Sequence, residues 1–454
     1  MADDLNALRA ALPEGRVVTD PDIVEAYSRD HAKAVAPPGR ARCLVSARDT
    51  GEVAATVRWA SQHGVPVVPR GGGTGLAGGA AAVDGCVILS LARMSAIREL
   101  DPADEMAVAE AGVLNADLDR AAAAHGLMYA PDPSSYEIST IGGNLATNAG
   151  GLRCVKYGVT RDAVLGLEVV LADGRVLRTG RRTVKGVAGY DLTSLFVGSE
   201  GTLGVITSAT LRLRPRPSEP PATVAASFPS FAAAARAVTA ILRARLQPSL
   251  LELLDRVTLR AIDDWKHLGF GDSQALLIAQ ADTDDGARRA AVMQRICTEH
   301  GALLADVSDS EAQARQLLDI RRLAGLATER LGAILVEDVC VPRSRLPDMI
   351  ERIEGAADRH GVLIATVAHG GDGNLHPVFV FDHQPEVPAS VWAAADEVFR
   401  AALDLGGTLT GEHGVGVIKR RWLAAELGED SMAVHRAIKA TLDPAGIMNP
   451  GKAI

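Results

Sequence analysis

The twelve residues from Pro69 to Ala80 constrain this chain more than any other stretch, because six of them are glycine. They read PRGGGTGLAGGA and follow the apolar run Val65 to Val68. Glycine adopts positive φ and lets a ligand approach the main chain closely. A run this dense, entered from a strand, favours backbone amides turned inward around an anion. The stretch therefore predicts a cradle for the phosphates of a cofactor, and a flexible loop without a ligand is the alternative.

The spacing of Gly73, Gly75 and Gly78 matches the dinucleotide-binding fingerprint, but its context does not. That fingerprint needs a helix that opens directly after the loop. Here the apolar run Cys86 to Leu91 begins a few residues after Ala80, which leaves no room for a crossover helix. We therefore predict a strand-loop-strand cradle rather than a Rossmann unit.

Length and composition exclude several classes of protein. The chain has 454 residues, enough for two or three domains with proper cores, and we expect two. Its net charge is −9 and no block of like charges occurs, which argues against a nucleic-acid partner. The five cysteines form no CxxC pair, so neither an iron–sulfur cluster nor a zinc finger is encoded. With no signal-like or membrane-spanning segment in the sequence, we expect a cytoplasmic protein that could still dock to a membrane partner.

Short signals predict local structure before and after the cradle. Asp49 and Glu52 predict a capping box at the start of one helix, and Gly64 predicts its end. Asn115 predicts the N-cap of another helix. The pair Asp173-Gly174 predicts a hairpin turn. Strands and helices alternate, as in an α+β or α/β domain.

Two further stretches have the composition of a ligand-binding surface. Pro131 to Gly151 reads PDPSSYEISTIGGNLATNAGG and is rich in small, hydroxyl and amide residues, so we interpret it as a wall that lines a ligand, with a long polar loop as the alternative. Val197 to Thr207 reads VGSEGTLGVIT. Its glycines allow close approach to the backbone, and its apolar side chains suit an adenine.

A proline-rich stretch, RPRPSEPP, marks the predicted boundary after residue 216. Beyond it, short strands alternate with helices, a pattern that predicts an antiparallel sheet covered by helices on one face. The predicted helix starts are Ser230, Asp284, Ser310, Arg343 and Pro388.

Chemistry-bearing residues cluster in two glycine-bracketed loops of the second half. HGGDGNLH runs from His369 to His376, and GEHGVG contributes Glu412 and His413. A loop that leaves one strand and enters another would turn both imidazoles of the first motif toward one point. Two imidazoles and a carboxylate suit zinc, manganese or iron, with positions left open for a substrate. Hydrogen-bonded structural histidines are the alternative.

An arginine pair lies in the helical stretch LLDIRRLAGLA. Its neighbours are apolar, so either Arg321 or Arg322 is expected to point inward while the other is solvated. An inward guanidinium could clamp a carboxylate, and a surface ion pair is the common alternative.

Several of these motifs, in this order, resemble flavoproteins of the vanillyl-alcohol oxidase type. Specifically, they resemble the flavin subunit of bacterial glycolate oxidase and the related D-lactate and D-2-hydroxyglutarate dehydrogenases. The resemblance extends over nearly the whole chain, and EDVCVPRSRLP at Glu337 to Pro347 and NPGK at Asn449 to Lys452 also carry it. It implies an α+β, two-domain FAD-binding fold of the PCMH type with a cap domain built on an antiparallel sheet. The implied limits are 1–216 for the FAD domain, 217–410 for the cap and 411–454 for a segment returning to the FAD domain.

The resemblance also assigns roles to residues. It implies that His369, His376 and Glu412 ligate a divalent metal, that His413 is the catalytic base, and that Arg321 grips the substrate carboxylate. The implied FAD contacts are Arg70, Gly71, Gly72, Gly73, Thr74, Gly75, Pro131, Asp132, Ser134, Ser135, Gly142, Gly143, Asn144, Thr147, Asn148, Gly150, Glu200, Gly201, Gly204, Val205, Ile206 and Asn449.

Two departures from the family pattern refine these expectations. The D-2-hydroxyglutarate enzymes carry a lysine shortly before the position of Asp338, where this chain has Val336 and Glu337. A substrate with a second carboxylate there is therefore disfavoured. Some branches attach FAD through a histidine of the glycine loop, but this loop contains Thr74 and no histidine, so non-covalent FAD is expected.

The expected function is oxidation of a D-2-hydroxy acid or glycolate by FAD. The expected electron acceptor is a quinone, a cytochrome or a partner subunit, and a homodimer is compatible with the sequence. A flavin subunit that only relays electrons and a non-redox transferase on the same scaffold are the competing classes.

Overall fold

The computed structural model describes residues 2–32, 35–308, 310–384 and 386–454. The chain forms two compact units. Unit 1 comprises residues 1–150, 158–216 and 412–454, and unit 2 comprises residues 151–157 and 217–411. The chain passes from unit 1 to unit 2 between Arg216 and Pro217, inside the proline-rich stretch.

The strands are short and occur throughout the chain. In chain order they are β1 Val17–Val18, β2 Cys43–Ser46, β3 Val67–Arg70, β4 Val87–Ser90, β5 Ile97–Asp101, β6 Met106–Glu110, β7 Leu127–Met128, β8 Val164–Val170, β9 Val176–Gly180, β10 Val205–Arg212, β11 Arg214–Pro215, β12 Ala222–Phe228, β13 Leu250–Asp255, β14 Ala275–Ala281, β15 Leu304–Val307, β16 Ala333–Val336, β17 Val339–Cys340, β18 Leu363–His369 and β19 Asn374–Phe381.

The helices alternate with these strands. They are α1 Ala2–Ala11, α2 Pro21–Tyr27, α3 Thr50–His63, α4 Asn115–Ala123, α5 Ile141–Thr147, α6 Cys154–Tyr157, α7 Leu192–Phe196, α8 Phe231–Arg243, α9 Arg256–Lys266, α10 Gly286–Glu299, α11 Glu311–Glu329, α12 Leu346–His360, α13 Ala389–Asp404 and α14 Arg420–Leu442, which is kinked at Gly428. The predicted helix starts of the second half lie within three residues of the observed ones.

The first sheet of unit 1 has the order β1-β2-β4-β3, and β2, β4 and β3 run parallel. Parallel neighbours are ordinarily joined by a crossover helix. Here residues 71–86 connect β3 to β4 as a loop, so the predicted strand-loop-strand arrangement is confirmed. The core of this sheet lies against α1 and α3.

A second sheet of unit 1, β5-β6-β10-β8-β9, is antiparallel and packs against α4 and α5. The predicted hairpin is confirmed, since β8 pairs with β9 around a turn at Gly174. Two helix signals of α3 are confirmed as well: Asp49 accepts a hydrogen bond from the Glu52 amide, and Gly64 ends the helix at φ 61°. The full capping box is wrong, because the Glu52 carboxylate accepts from the Arg48 amide instead of the Asp49 amide.

The predicted N-cap of α4 is wrong by one residue. The extended residue before this helix is Leu114, which makes an isolated bridge with Thr140. This bridge fixes Leu114 outside the helix, and the Asn115 side chain donates instead to the Pro131 carbonyl, at 3.1 Å.

Unit 2 is built on one antiparallel sheet with the order β15-β12-β14-β13-β18-β19-β16, and β17 pairs with β19. The expectation of helices on one face only is wrong. Every residue of β13 and β14 is buried, although neighbouring side chains on a strand point to opposite faces. Leu250 and Leu254 pack in a cluster with α9 and α11, while Leu251 and Leu253 face the opposite side, on which α8 packs.

The α+β class predicted from the sequence is confirmed by these sheets and helices. Among the described residues, no helix combines the length and the apolar character that crossing a membrane requires.

Candidate active site

The glycine loop, residues 69–80, lies directly on the polar wall formed by residues 131–150 of unit 1. A Cβ added to Gly71 would collide with the Thr140 hydroxyl, and one added to Gly72 would lie 2.5 Å from the Ile138 carbonyl oxygen. Gly73 adopts φ 70°. The two glycines are thus required by close approach and the third by its backbone conformation. The wall itself contains the short helix α5, capped by the Thr140 side chain.

Arg70 folds back beneath the loop that it opens. Its Nη1 donates to the Arg29 carbonyl at 2.6 Å, and its guanidinium lies over the Tyr27 ring. Burial lowers the pKa of Arg70, while the charge of Asp30 works against this shift. Asp30 also accepts a hydrogen bond from the Ala80 amide at 3.2 Å. Arg70 therefore ties the start of the glycine loop to Tyr27 and Arg29.

The C-terminal segment of unit 1 closes the other side of the loop. Asn449 donates through Nδ2 to the carbonyls of Gly79, at 2.9 Å, and Glu200, at 2.7 Å. Lys452 donates to the Ala81 carbonyl at 2.5 Å, and burial lowers the pKa of this amine to about 8. These side-chain bonds hold the end of the glycine loop.

Residues 412–416 are positioned in unit 1 by a buried carboxylate. The Glu200 side chain accepts hydrogen bonds from the amides of Val415 and Gly416, each at 2.8 Å. The Glu412 side chain lies against Gly150, where any Cβ would collide with its carboxylate. The His413 Nε2 lies 4.0 Å from a Glu412 carboxylate oxygen. Glu412, the predicted metal ligand, is therefore brought beside the end of the polar wall, with His413, the predicted base, next to it.

The residues present fit a cofactor with a diphosphate and a flat ring system. The glycine loop presents no side chain of its own to the wall at Gly71 and Gly72, which lie against the Thr140 hydroxyl and the Ile138 carbonyl. In the same wall, the buried Ser139 hydroxyl and the Asn144 Nδ2 have no hydrogen-bond partner among the residues that the structure describes. Such groups are rare unless a partner is supplied from elsewhere.

Glu200→Gln should loosen residues 412–416. A glutamine offers one acceptor to two amide donors, and burial already raises the pKa of Glu200 while the two amides favour its ionised form. We expect a loss of stability of about 1–3 kcal/mol, seen as a lower melting temperature, together with slower flavin reduction. Glu99→Gln, at an exposed ion pair with Arg182, is the matched control and should leave both unchanged. Wild-type melting and kinetics in Glu200→Gln would refute this role.

In unit 2, β18 and β19 form a hairpin, residues 363–381, which we call the histidine hairpin. His369 pairs with Asn374, and Val367 pairs with His376, so the two histidines lie on one face. Their rings are 5.0 Å apart and nearly perpendicular. Both are buried. The structure therefore brings together the two imidazoles that the sequence placed in one loop, with His369 as the last residue of β18 and His376 within β19.

A buried carboxylate absent from our sequence predictions completes this face. Glu252 of β13 accepts a hydrogen bond from His369 Nδ1 at 2.8 Å and from Arg321 Nε at 2.7 Å. Arg321 is 5% exposed, whereas Arg322 pairs at the surface with Asp319. Of the two arginines that the sequence left open, Arg321 is thus the inward one.

Further polar groups lie beside His376 in unit 2. Its Nδ1 is 3.7 Å from Asp338, whose other oxygen accepts a hydrogen bond from the Thr410 hydroxyl at 2.8 Å. The buried Asn374 Oδ1 has no hydrogen-bond partner within the described part of the chain. Imidazoles together with carboxylate and amide oxygens form a donor set that suits a divalent cation, so the residues of unit 2 fit the predicted metal.

The predicted cofactor positions differ in their surroundings. All of them lie in unit 1. Gly201 lies against the Pro69 ring, at the start of the glycine loop. Gly204, Val205 and Ile206 are packed in the core, where a Cβ on Gly204 would lie 2.7 Å from Val169. Their role toward a cofactor stays a prediction, as do those of the other positions.

Comparison with known proteins identifies two FAD-related families that match this chain. Residues 41–180 match the family described as "FAD binding domain", and residues 218–453 match "FAD linked oxidases, C-terminal domain". The chain is 41% identical to glycolate oxidase subunit GlcD of Bacillus subtilis, over 99% of this chain and 93% of that protein. It is 35% identical to D-lactate dehydrogenase of Archaeoglobus fulgidus, over 95% of this chain and 96% of that protein.

Among solved structures, p-cresol methylhydroxylase with bound substrate superposes with a TM-score of 0.80. The alignment covers all of this chain and 96% of the other, at 18% identity, and shows a shared fold. The predicted PCMH-type fold of the vanillyl-alcohol oxidase group is thereby confirmed. The two family matches and the full-length relatives lead to one conclusion: the chain belongs to the FAD-linked oxidases and is an FAD-linked oxidoreductase.

Proposed function

We propose that the protein oxidises a D-2-hydroxy acid, or glycolate, to the 2-oxo acid, with FAD as the hydride acceptor. The observation that carries this proposal is the buried group of unit 2 in which Arg321 and His369 share the carboxylate of Glu252. A guanidinium suits a substrate carboxylate, and paired imidazoles suit a divalent cation. A 2-hydroxy acid carries a carboxylate and a hydroxyl on adjacent carbons, so it matches both.

In this proposal unit 1 binds FAD and unit 2 binds the substrate. His369, His376 and Glu412 hold zinc, manganese or iron, Arg321 binds the substrate carboxylate, and His413 takes the hydroxyl proton. Bound FAD would supply the acceptor for the hydride of C2, and a bound metal would supply the positive charge that polarises the hydroxyl. The names of the two relatives, glycolate oxidase and D-lactate dehydrogenase, support this class of substrate.

A reduced flavin would pass its electrons to a second protein or to a small carrier. The Bacillus subtilis relative is by its name a subunit. This supports a partner subunit as acceptor, with a quinone or a cytochrome as the alternative. A flavin subunit that only relays electrons would need neither the buried Arg321 nor the paired imidazoles.

An anaerobic stopped-flow panel tests the function. Glycolate, D-lactate, L-lactate and D-2-hydroxyglutarate are mixed with the FAD-loaded protein, and flavin absorbance is followed. We expect bleaching by glycolate or D-lactate and none by L-lactate, with D-2-hydroxyglutarate disfavoured because Glu337 occupies the region of the family lysine. If dithionite bleaches the flavin but no hydroxy acid does, an electron relay or a transferase becomes the better assignment.

FAD should be held without a covalent bond, because the glycine loop contains no histidine. Acid precipitation of the yellow protein is expected to release the flavin into the supernatant, where its absorbance can be compared with that of the total. Flavin that stays in the washed pellet would contradict this prediction.

A further inference from the structure

One buried carboxylate links the two groups on which the proposed reaction depends. Glu252 is 1% exposed, and each of its two oxygens bonds to one of them. Oε1 lies 2.8 Å from His369 Nδ1, and Oε2 lies 2.7 Å from Arg321 Nε. We propose that Glu252 is a positioning residue that fixes His369 for metal binding and Arg321 for binding the substrate carboxylate. This inference rests on the function proposed above.

The strand register explains how Glu252 reaches both partners. Glu252 is paired directly with His369 across the antiparallel strands β13 and β18, so the two side chains share one face of the sheet. Leu250 and Leu254 flank Glu252 on that face and belong to an apolar cluster with α9 and α11. Helix α11 supplies Arg321. A carboxylate in such surroundings is costly unless its oxygens are bonded and its charge is offset, and Arg321 and His369 meet these requirements.

The bond to Glu252 determines which nitrogen of His369 carries the proton. An ionised carboxylate accepts hydrogen bonds and donates none. Nδ1 of His369 is therefore protonated, and the lone pair lies on Nε2. A carboxylate behind a metal-ligating histidine fixes the tautomer and the ring orientation in this way. The ring so oriented is the one that meets His376 at 5.0 Å.

The same carboxylate sets the plane of the Arg321 guanidinium. Because Nε is used by Glu252, the two terminal nitrogens remain as the parallel donors that a substrate carboxylate accepts. Loss of Glu252 should therefore weaken metal binding and substrate binding together, although the side chain reaches neither ligand in this proposal.

Glu252→Gln tests this double role with little change in volume. Glutamine has one acceptor oxygen for the two N–H donors of His369 and Arg321. Its NH₂ group faces the other donor and cannot accept a hydrogen bond from it. Zn²⁺ is titrated by calorimetry into the FAD-loaded, chelator-treated protein. We expect the Zn²⁺ affinity to fall about 10- to 100-fold, KM for the 2-hydroxy acid to rise at saturating Zn²⁺, and FAD content to stay at the wild-type value.

Asp255→Asn is the matched control on the same strand. Asp255 is a buried carboxylate that accepts hydrogen bonds from the backbone amides of Thr258 and Thr366, and no described bond joins it to His369 or Arg321. The control should keep the wild-type Zn²⁺ affinity and KM. Equal losses in both variants would mean that strand β13 is merely disturbed, and wild-type values in Glu252→Gln would overturn the proposal outright.

Nitrogen NMR of histidine-labelled, metal-free protein separates this inference from the proposed function. The signals of His369 are identified by their absence in His369→Gln. We expect the Nδ1-protonated form in the wild type and a shift toward the other tautomer in Glu252→Gln. An Nε2-protonated His369 in the wild type would overturn the inference even if hydroxy acids reduce the flavin. If the expected tautomer is seen but no hydroxy acid reduces the flavin, the function fails and the positioning of the ring stands.

Discussion

His413→Asn should reduce its flavin about two to four powers of ten more slowly than the wild type, since that is the usual contribution of a general base. Asparagine keeps a polar group of similar reach but cannot take a proton near pH 7. Neutral imidazole can, because the pKa of histidine lies near that pH. The measurement is the rate of anaerobic flavin reduction at saturating 2-hydroxy acid, at several pH values.

The surroundings of His413 make this variant informative. Residues 412–416 are held by the Glu200 bonds to Val415 and Gly416, which do not involve the imidazole. We therefore expect FAD content and melting temperature to stay near the wild-type values, and substrate affinity to change little if Arg321 and the metal carry binding. His435→Asn is the control, since that histidine bonds within α14 to the Ser431 carbonyl. Wild-type reduction rates in His413→Asn would require a different base.

His376→Ala should abolish stoichiometric metal and with it most of the activity, while the FAD content stays unchanged. Loss of a group that only supports a ligand typically costs 10- to 100-fold, so loss of a ligand itself should exceed about 100-fold. His376 lies in unit 2, and the glycine loop and polar wall lie in unit 1, which explains the expected retention of FAD.

Elemental analysis, flavin absorbance and turnover of the same preparation test this prediction. His360→Ala is the control, because His360 is partly exposed on α12 and pairs with Glu397 at 2.9 Å. It should keep both metal and activity. If chelator-treated wild-type protein is fully active without stoichiometric metal, then the assignment of His369, His376 and Glu412 as ligands is wrong.

Local signals explain why much of the site could be predicted. The histidine hairpin is formed by residues that are close in sequence. Four loop residues separate His369 from Asn374, and the alternation of side chains along the strand then places His376 on the same face as Asn374. The glycine loop is equally local, because close approach and positive φ leave few residues but glycine. Asp49 and Gly64 marked the ends of α3 for similar reasons.

Long-range partners could not be predicted in the same way. Glu252 lies 117 positions before His369 and 69 before Arg321, so only the pairing of β13 with β18 and the packing of α11 bring the three together. The run LLELLD did contain a signal, a carboxylate with two leucines on either side, which in a fully buried strand must find a cation or a donor. Choosing Arg321 over Arg322 depended on the same packing.

The hydrogen bonds from Asn449 and Lys452 to the end of the glycine loop determine when this loop can be completed during synthesis of the chain. Asn449 and Lys452 donate hydrogen bonds to the carbonyls of Gly79 and Ala81, which lie 370 and 371 positions earlier in the chain. All of residues 217–411 of unit 2 are translated in between. During synthesis, the glycine loop therefore leaves the ribosome long before the residues that close it exist, and the finished cradle can appear only after unit 2 has been made.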